Sequence, residues 1–346
     1  MRFVYVATLL LLPVLASAHH SRAEYDSSVV TELEGTVERV QWMNPHLRLT
    51  LRVPIEDGTT ELWRLESTDV TRLDRAGLPH DLIEVGGTVR VAGNASSRPR
   101  RMFVRHLLLP DDTELLLSGD EQWWPEAERV VGSAYPLIEA PDPVVEVVDG
   151  LFRVWFPGAI NPPPDFVSDP PFTDSARTAY AAYDPVYDDP VLNCTPPGMP
   201  RLMTRAGRRP IEFVNESDKY LIRVEAFALV REIHMTAAES FQEQPPRSLG
   251  YSVGHWEGST LVVTTTGIDW PYFDFYGFDG APQSTETEIT EWFTLSEDER
   301  ELTYDISAND PLTFTEPVTA KGYRIYDWRP GQKLMPYEEC GGELTE

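Results

Sequence analysis

The sequence predicts a mainly β protein: an OB-like five-stranded barrel followed by a larger antiparallel β-barrel of lipocalin-like type, or a sandwich. Three observations predict this. Hydrophobic residues alternate with a period of two along much of the chain. Thirty prolines and 22 glycines divide it into short runs. At 346 residues, 41% of them hydrophobic and 11% aromatic, the chain can bury two cores.

The first module is read over residues 19–118. A run from Val29 to Trp42 carries apolar Leu33, Val37 and Val40, with Gly35 where a strand can bend. Leu47 to Val53 alternates cleanly, Asp57-Gly58 is a hairpin signal, and Glu61 to Glu66 follows. Ser67 to Leu78 reads as a helix with Val70, Leu73 and Leu78 on one face. Strands at Thr88–Ala92 and Met102–Leu109 complete the order strand–strand–strand–helix–strand–strand, that of an OB-type barrel.

Residues 119–209 form a proline-rich connecting segment. Pro136 to Pro200 holds 14 of the 30 prolines. Its many aromatics, among them Phe152, Trp155, Phe166, Phe172, Tyr180 and Tyr183, argue that it packs on a neighbouring domain. It contains a strand at Leu151–Phe156 that can join the following domain, and a helix at Asp174–Tyr183 capped by Asp174 or Ser175. Residues 210–346 carry eight further candidate strands: Ile211–Val214, Tyr220–Phe227, Val230–Met235, Leu249–Trp256, Thr260–Thr266, Glu286–Leu295, Glu301–Ser307 and Tyr323–Trp328.

Residues 1–18 read as a secretory signal: Arg2, an apolar run from Phe3 to Leu15, then Ala16 and Ala18 before the cut. The protein is therefore expected in the periplasm or secreted, with no integral membrane segment once the leader is removed. In that compartment Cys194 and Cys340 are expected to pair. Closing so long a loop contributes ~4–5 kcal/mol in the chain-entropy account. The net charge is −27. Residues 19–118 hold 12 basic against 16 acidic side chains, and residues 119–346 hold 16 against 40, so the acidity belongs to the second half. Nucleic acid is excluded as a partner, because phosphate binding needs a basic footprint.

His19-His20-Ser21, Gly35-Thr36-Val37 and Trp42-Met43-Asn44-Pro45-His46 resemble an uncharacterised family of exported bacterial proteins with a domain of unknown function. Its pattern is a signal peptide, Ala-His-His-Ser, and then Trp-x-Asn-Pro-His. Cys194 to Arg201, Arg231 to Met235 and Gly250 to Val263 resemble the longer members. The pattern continues with Asp-Gly where this chain has Thr236-Ala237. The resemblance implies export and architecture; it carries no activity.

Three places can hold chemistry. A mature amino terminus at His19 offers an amine, two imidazoles with His20 and a deprotonatable amide, a set suited to Cu(II), with His46 as a further ring. An extended arm from His19 to Val30 reaches roughly 36–40 Å; the alternative is a plain flexible arm. The Trp42–His46 loop offers Trp42 for stacking and Asn44 for hydrogen bonding on the binding face of an OB-type barrel, or is a simple turn. In the second domain, Arg223 and Glu225 share one strand face and Glu232 and His234 another. Turned inward they form an acid–base cluster with Glu232 and His234 as the catalytic pair; turned outward they are cross-strand charge pairs. Tyr251 and Trp256 add aromatic walls. No nucleophile elbow, phosphate loop, zinc helix motif or dinucleotide fingerprint is present.

The expectation is an exported binding protein for a small apolar or amphipathic molecule, with copper as a candidate cofactor. The alternatives are a periplasmic enzyme using the Glu/His pair or a His-ligated copper, and an envelope interaction module.

Overall fold

A computed structural model describes residues 25–44, 46–119, 121–132, 150–160, 164–185, 187–193, 195–205, 209–236, 244–275 and 278–336. The leader, His19, His20, Cys194 and Cys340 lie outside these, and with them the expected terminal histidine pair and disulfide.

The first half folds as expected. Strands β1 (Thr31–Gln41), β2 (Arg48–Pro54) and β3 (Thr60–Glu66) are followed by helix α1 (Val70–Arg75), then β4 (Thr88–Ala95) and β5 (Arg101–Leu108). β1 pairs with β4 through Thr31–Thr36 and with β2 through Thr36–Gln41, and a parallel β3–β5 pairing closes the five-stranded ring. Gly35 sits where β1 passes from one partner to the other. A Cβ there would meet the Arg52 carbonyl oxygen at 2.7 Å, so only glycine lets the strands approach so closely. Leu49, Leu51, Leu65, Val89, Val91 and Val104 fill the interior.

Helix α1 is shorter than the expected Ser67–Leu78. Ser67 and Thr68 stay extended, exchanging backbone bonds with Leu47. Asp69 takes the cap, its Oδ1 accepting from the Arg72 N–H at 2.9 Å. Gly77, at φ +71°, ends the turn. Two strands with weak patterns, β6 (Thr113–Leu116) and β7 (Arg129–Val131), extend the sheet beyond β5.

The second half is a closed nine-stranded barrel, which decides between barrel and sandwich. Its strands are β8 (Val154–Ile160), β9 (Ile211–Asn215), β10 (Lys219–Val224), β11 (Val230–His234), β12 (Tyr251–Glu257) and β13 (Thr260–Thr266). After a two-stranded insert, β14 (Tyr272–Phe275) and β15 (Phe278–Pro282), come β16 (Glu288–Leu295), β17 (Glu301–Asn309) and β18 (Val318–Trp328). The ring order is β10-β11-β12-β13-β16-β17-β18-β8-β9, so the strand expected near Leu151–Phe156 does join it.

The segment between β8 and β9 packs against this barrel. Helix α2 (Asp174–Ala182) is capped by Thr173, whose hydroxyl accepts from the Ala176 N–H, rather than by Asp174 or Ser175. Phe172 stacks on Phe278 and Phe314. In helix α3 (Arg201–Thr204), Arg201 is buried between Asp189 and Asp274, 2.9 Å from each.

Eight of the nine neighbour pairings in the ring are antiparallel. The ninth, β11 with β12, is parallel and comprises two residue pairs, Ile233–Ser252 and His234–Val253. Arg231 fastens this seam from inside. Its Nε donates to Ser252 Oγ on β12 at 3.1 Å, its Nη2 to Thr265 Oγ1 on β13 at 2.7 Å, and both terminal nitrogens to the Glu291 carboxylate on β16. Tyr304 on β17 donates to the same carboxylate at 2.8 Å. Arg231 and Glu291 are buried, at 1% and 0% exposure. Breaking such a pair strands a charge in a low-dielectric core. Arg231→Ala is therefore expected to lower stability by about 3–5 kcal/mol. The double change Arg231→Met, Glu291→Leu should lose markedly less; denaturant unfolding followed by tryptophan fluorescence reads both.

Candidate functional site

The Trp42–His46 loop does not form an open binding face. Asn44 Oδ1 accepts from the Val70 N–H at 3.0 Å and its Nδ2 donates to Thr71 Oγ1 at 3.0 Å, so Asn44 caps α1 from outside the helix. Trp42 Nε1 reaches Asp74 Oδ1 at 3.3 Å, and its ring lies 4.9 Å from that of His80, which also contacts Asp74. His46 places Nδ1 2.8 Å from the Ser67 carbonyl oxygen. Burial pulls its pKa down to about 4, outweighing the raising effects of that hydrogen bond and of Asp69. The motif is a clamp on α1.

What the clamp holds is the joint between the barrels. Asp69 Oδ2 lies 2.6 Å from Arg209 Nη1. Burial pushes the Asp69 carboxyl up, but Arg209 and the Arg72 N–H bring it below the usual carboxylate range. Arg75, at the other end of α1, donates both terminal nitrogens to Glu225, and its guanidinium lies over the Phe156 ring at 5.3 Å. Glu225 also accepts from the Met335 N–H at 2.7 Å. Glu225 thus lies beyond the end of β10, turned toward α1. Arg223 is exposed on that strand and pairs with Glu212 at 2.8 Å. The expected face shared by Arg223 and Glu225 does not exist, because the strand ends at Val224.

Glu232 and His234 face outward, with Arg231 and Ile233 inward. They nevertheless line a cleft. Above the two-pair seam, β11 and the segment leading into β12 diverge, leaving a cleft of about 350 Å³. It is lined by Val230, Glu232 and His234 on one side and by Arg247 to Tyr251 on the other; Arg231 and Ser252 contribute from the seam itself. Glu232 is held by Lys219 Nζ at 2.5 Å, while His234 Nε2 stands 3.9 Å from the Glu232 carboxylate. The Lys219 hydrogen bond keeps the Glu232 carboxyl below its ordinary pKa, with smaller help from His234 and Arg247. The Arg247 guanidinium lies 4.1 Å from the Tyr251 ring centre, and its Nη2 donates to Gln244 Oε1 at 2.7 Å. Tyr251 donates its hydroxyl proton to the Pro245 carbonyl at 3.0 Å.

Of the expected site residues, the structure therefore brings Glu232, His234 and Tyr251 together. Trp256 is five residues further along β12, roughly 17 Å away at strand rise, where its Nε1 donates to the Tyr220 hydroxyl at 3.2 Å. Among the described residues no group of three or more His, Cys, Asp or Glu side chains could hold a metal. Sequence reasoning missed Arg247, whose cleft position depends on where β12 begins. It also missed the buried His106–Glu114 contact at 2.9 Å, which ties β5 to β6. Arg231 carried a signal, since alternation set it opposite Glu232 beside Ile233.

These positions can be set against known proteins. Residues 8–102 match a family of unknown function, DUF6152. The match runs from within the expected leader to the start of β5 and includes the clamp loop, in keeping with the resemblance read from Trp42 to His46. The chain matches no curated protein and no solved structure. No helix among the described residues is long and apolar enough to cross a membrane.

The low pKa of His46 makes the first barrel sensitive to acid. The unfolded imidazole takes a proton near its reference pKa of ~6.5, whereas the folded one resists until about 4. Stability is thus full above pH ~6.5 and falls as the pH drops toward 4, by at most about 3 kcal/mol from this group. His46→Gln should flatten the stability profile across that interval, measured as unfolding free energy at pH 7, 6, 5 and 4.5. An unchanged slope would assign the acid sensitivity to other groups.

Proposed function

We propose that this is an exported binding protein, periplasmic or secreted, that takes a small amphipathic ligand in the cleft above the β11–β12 seam. The observation that carries the reading is the cleft itself. About 350 Å³ lies within the range of small-molecule sites, and it opens where the barrel wall is joined by two residue pairs. Its walls combine apolar Val230 and Leu249 and the Tyr251 ring with a few charged groups, the mixture that fixes and orients a small molecule.

The same geometry weighs against acid–base catalysis by Glu232 and His234. A general base works best with a pKa near the operating pH, and Lys219 holds the Glu232 carboxyl in the opposite direction. The copper reading rests on His19 and His20 and is independent of the cleft; equal, weak Cu(II) binding by a free His19 terminus and by a version with one added residue in front would remove it.

Filling the cleft tests the binding reading. Ser248, exposed on its wall, can be replaced by tryptophan without entering either barrel core. Native mass spectrometry of the exported protein is expected to show a small-molecule adduct on the wild type. In Ser248→Trp it should fall at least tenfold, with an unchanged thermal midpoint. Equal occupancy in both proteins would place the ligand elsewhere.

A further inference from the structure

We infer that the ligand of this cleft is an organic anion, a carboxylate on a short apolar or aromatic body, received by Arg247. The inference rests on the cleft being the binding site and adds the charge and shape of what enters it. The half of the chain that forms the cleft carries 16 basic against 40 acidic side chains, yet Arg247 stands on the cleft wall and His234 lines it. Around the Glu232 carboxylate stand Lys219 at 2.5 Å, His234 at 3.9 Å, and Arg247, whose charge also acts on it. Lys219, which also lies 3.9 Å from Glu216, satisfies the Glu232 carboxylate directly, so Arg247 is the cation left turned to the cleft.

Arg247 has no ion-pair partner among the described residues. It is nonetheless positioned: Tyr251 supports one face at 4.1 Å and Gln244 holds one Nη2 proton at 2.7 Å. A guanidinium stacked in this way has lost part of its side-chain freedom before any ligand arrives, and its remaining N–H groups suit a carboxylate. Val230, 45% exposed, and Leu249 supply an apolar wall beside it. A free inorganic anion would leave that wall in water, and a cation would meet Arg247 and Lys219. A carboxylate with an apolar body uses both.

Three probes share one body and differ in charge: phenylacetate, 2-phenylethanol and 2-phenylethylamine. Titration calorimetry on the mature full chain at 20 mM salt is expected to show phenylacetate binding at least tenfold more tightly than the amine, with the alcohol between them. Arg247→Ala should weaken phenylacetate at least tenfold and leave the alcohol within about twofold, and Ser248→Trp should weaken all three. If the amine binds best, or if Arg247→Ala keeps the preference for the anion, the anionic assignment is overturned while block by Ser248→Trp still supports the cleft. If no probe binds at millimolar concentration, or Ser248→Trp changes nothing, both readings fall.

Discussion

The second barrel depends on one buried ion pair. Arg231 on β11 reaches the side chains of β12, β13 and β16 from inside the ring, and Glu291 receives both its terminal nitrogens together with the Tyr304 hydroxyl. Burial raises the Tyr304 pKa well above its ordinary value, and Glu291 adds to this, so the phenol remains a donor at any physiological pH. Burying two charges is costly unless every donor and acceptor is met. Here the position of the pair explains its presence. It spans the one parallel neighbour pairing of the ring, which has two backbone residue pairs and where a purely apolar interior would not fix the register.

A second polar assembly joins the two halves. Asn44, Asp69 and Trp42 hold α1, and α1 offers Asp69 to Arg209 and Arg75 to Glu225. The helix has two turns at most and would not persist alone. Its caps and its partners on both barrels therefore stabilise one another. This gives Trp42, Asn44 and His46 of the Trp-x-Asn-Pro-His motif a physical meaning: Trp42 and Asn44 clamp the helix at a domain joint, and His46 binds the segment that leads into it.

The cleft and the seam are two sides of one feature. Where β11 and β12 diverge, the wall gives up backbone pairing and gains a recess that no core residue fills. Arg231 secures the ring beneath it, and Glu232, His234, Arg247 and Tyr251 line the recess. A recess so placed can bind a ligand without opening the barrel.

The sequence by itself determined the β-rich class, the strand order of the first barrel, and nearly every strand of the second, because alternation with a period of two is a local property set by which face is buried. It also separated Arg231 from Glu232 and His234, since parity follows from the same rule. It did not reveal β6, β7, β14 or β15, which are short and owe their pairing to neighbours. The ion-pair partners of Glu225, Asp69 and Arg231 were equally out of reach, for they lie 60 to 150 residues away. Only the tertiary structure decided that Glu225 turns to α1, that Trp256 stands apart from Tyr251, and that Arg247 enters the site. Those outcomes depend on where strands end and how a ring closes, and closure is a property of all nine strands at once.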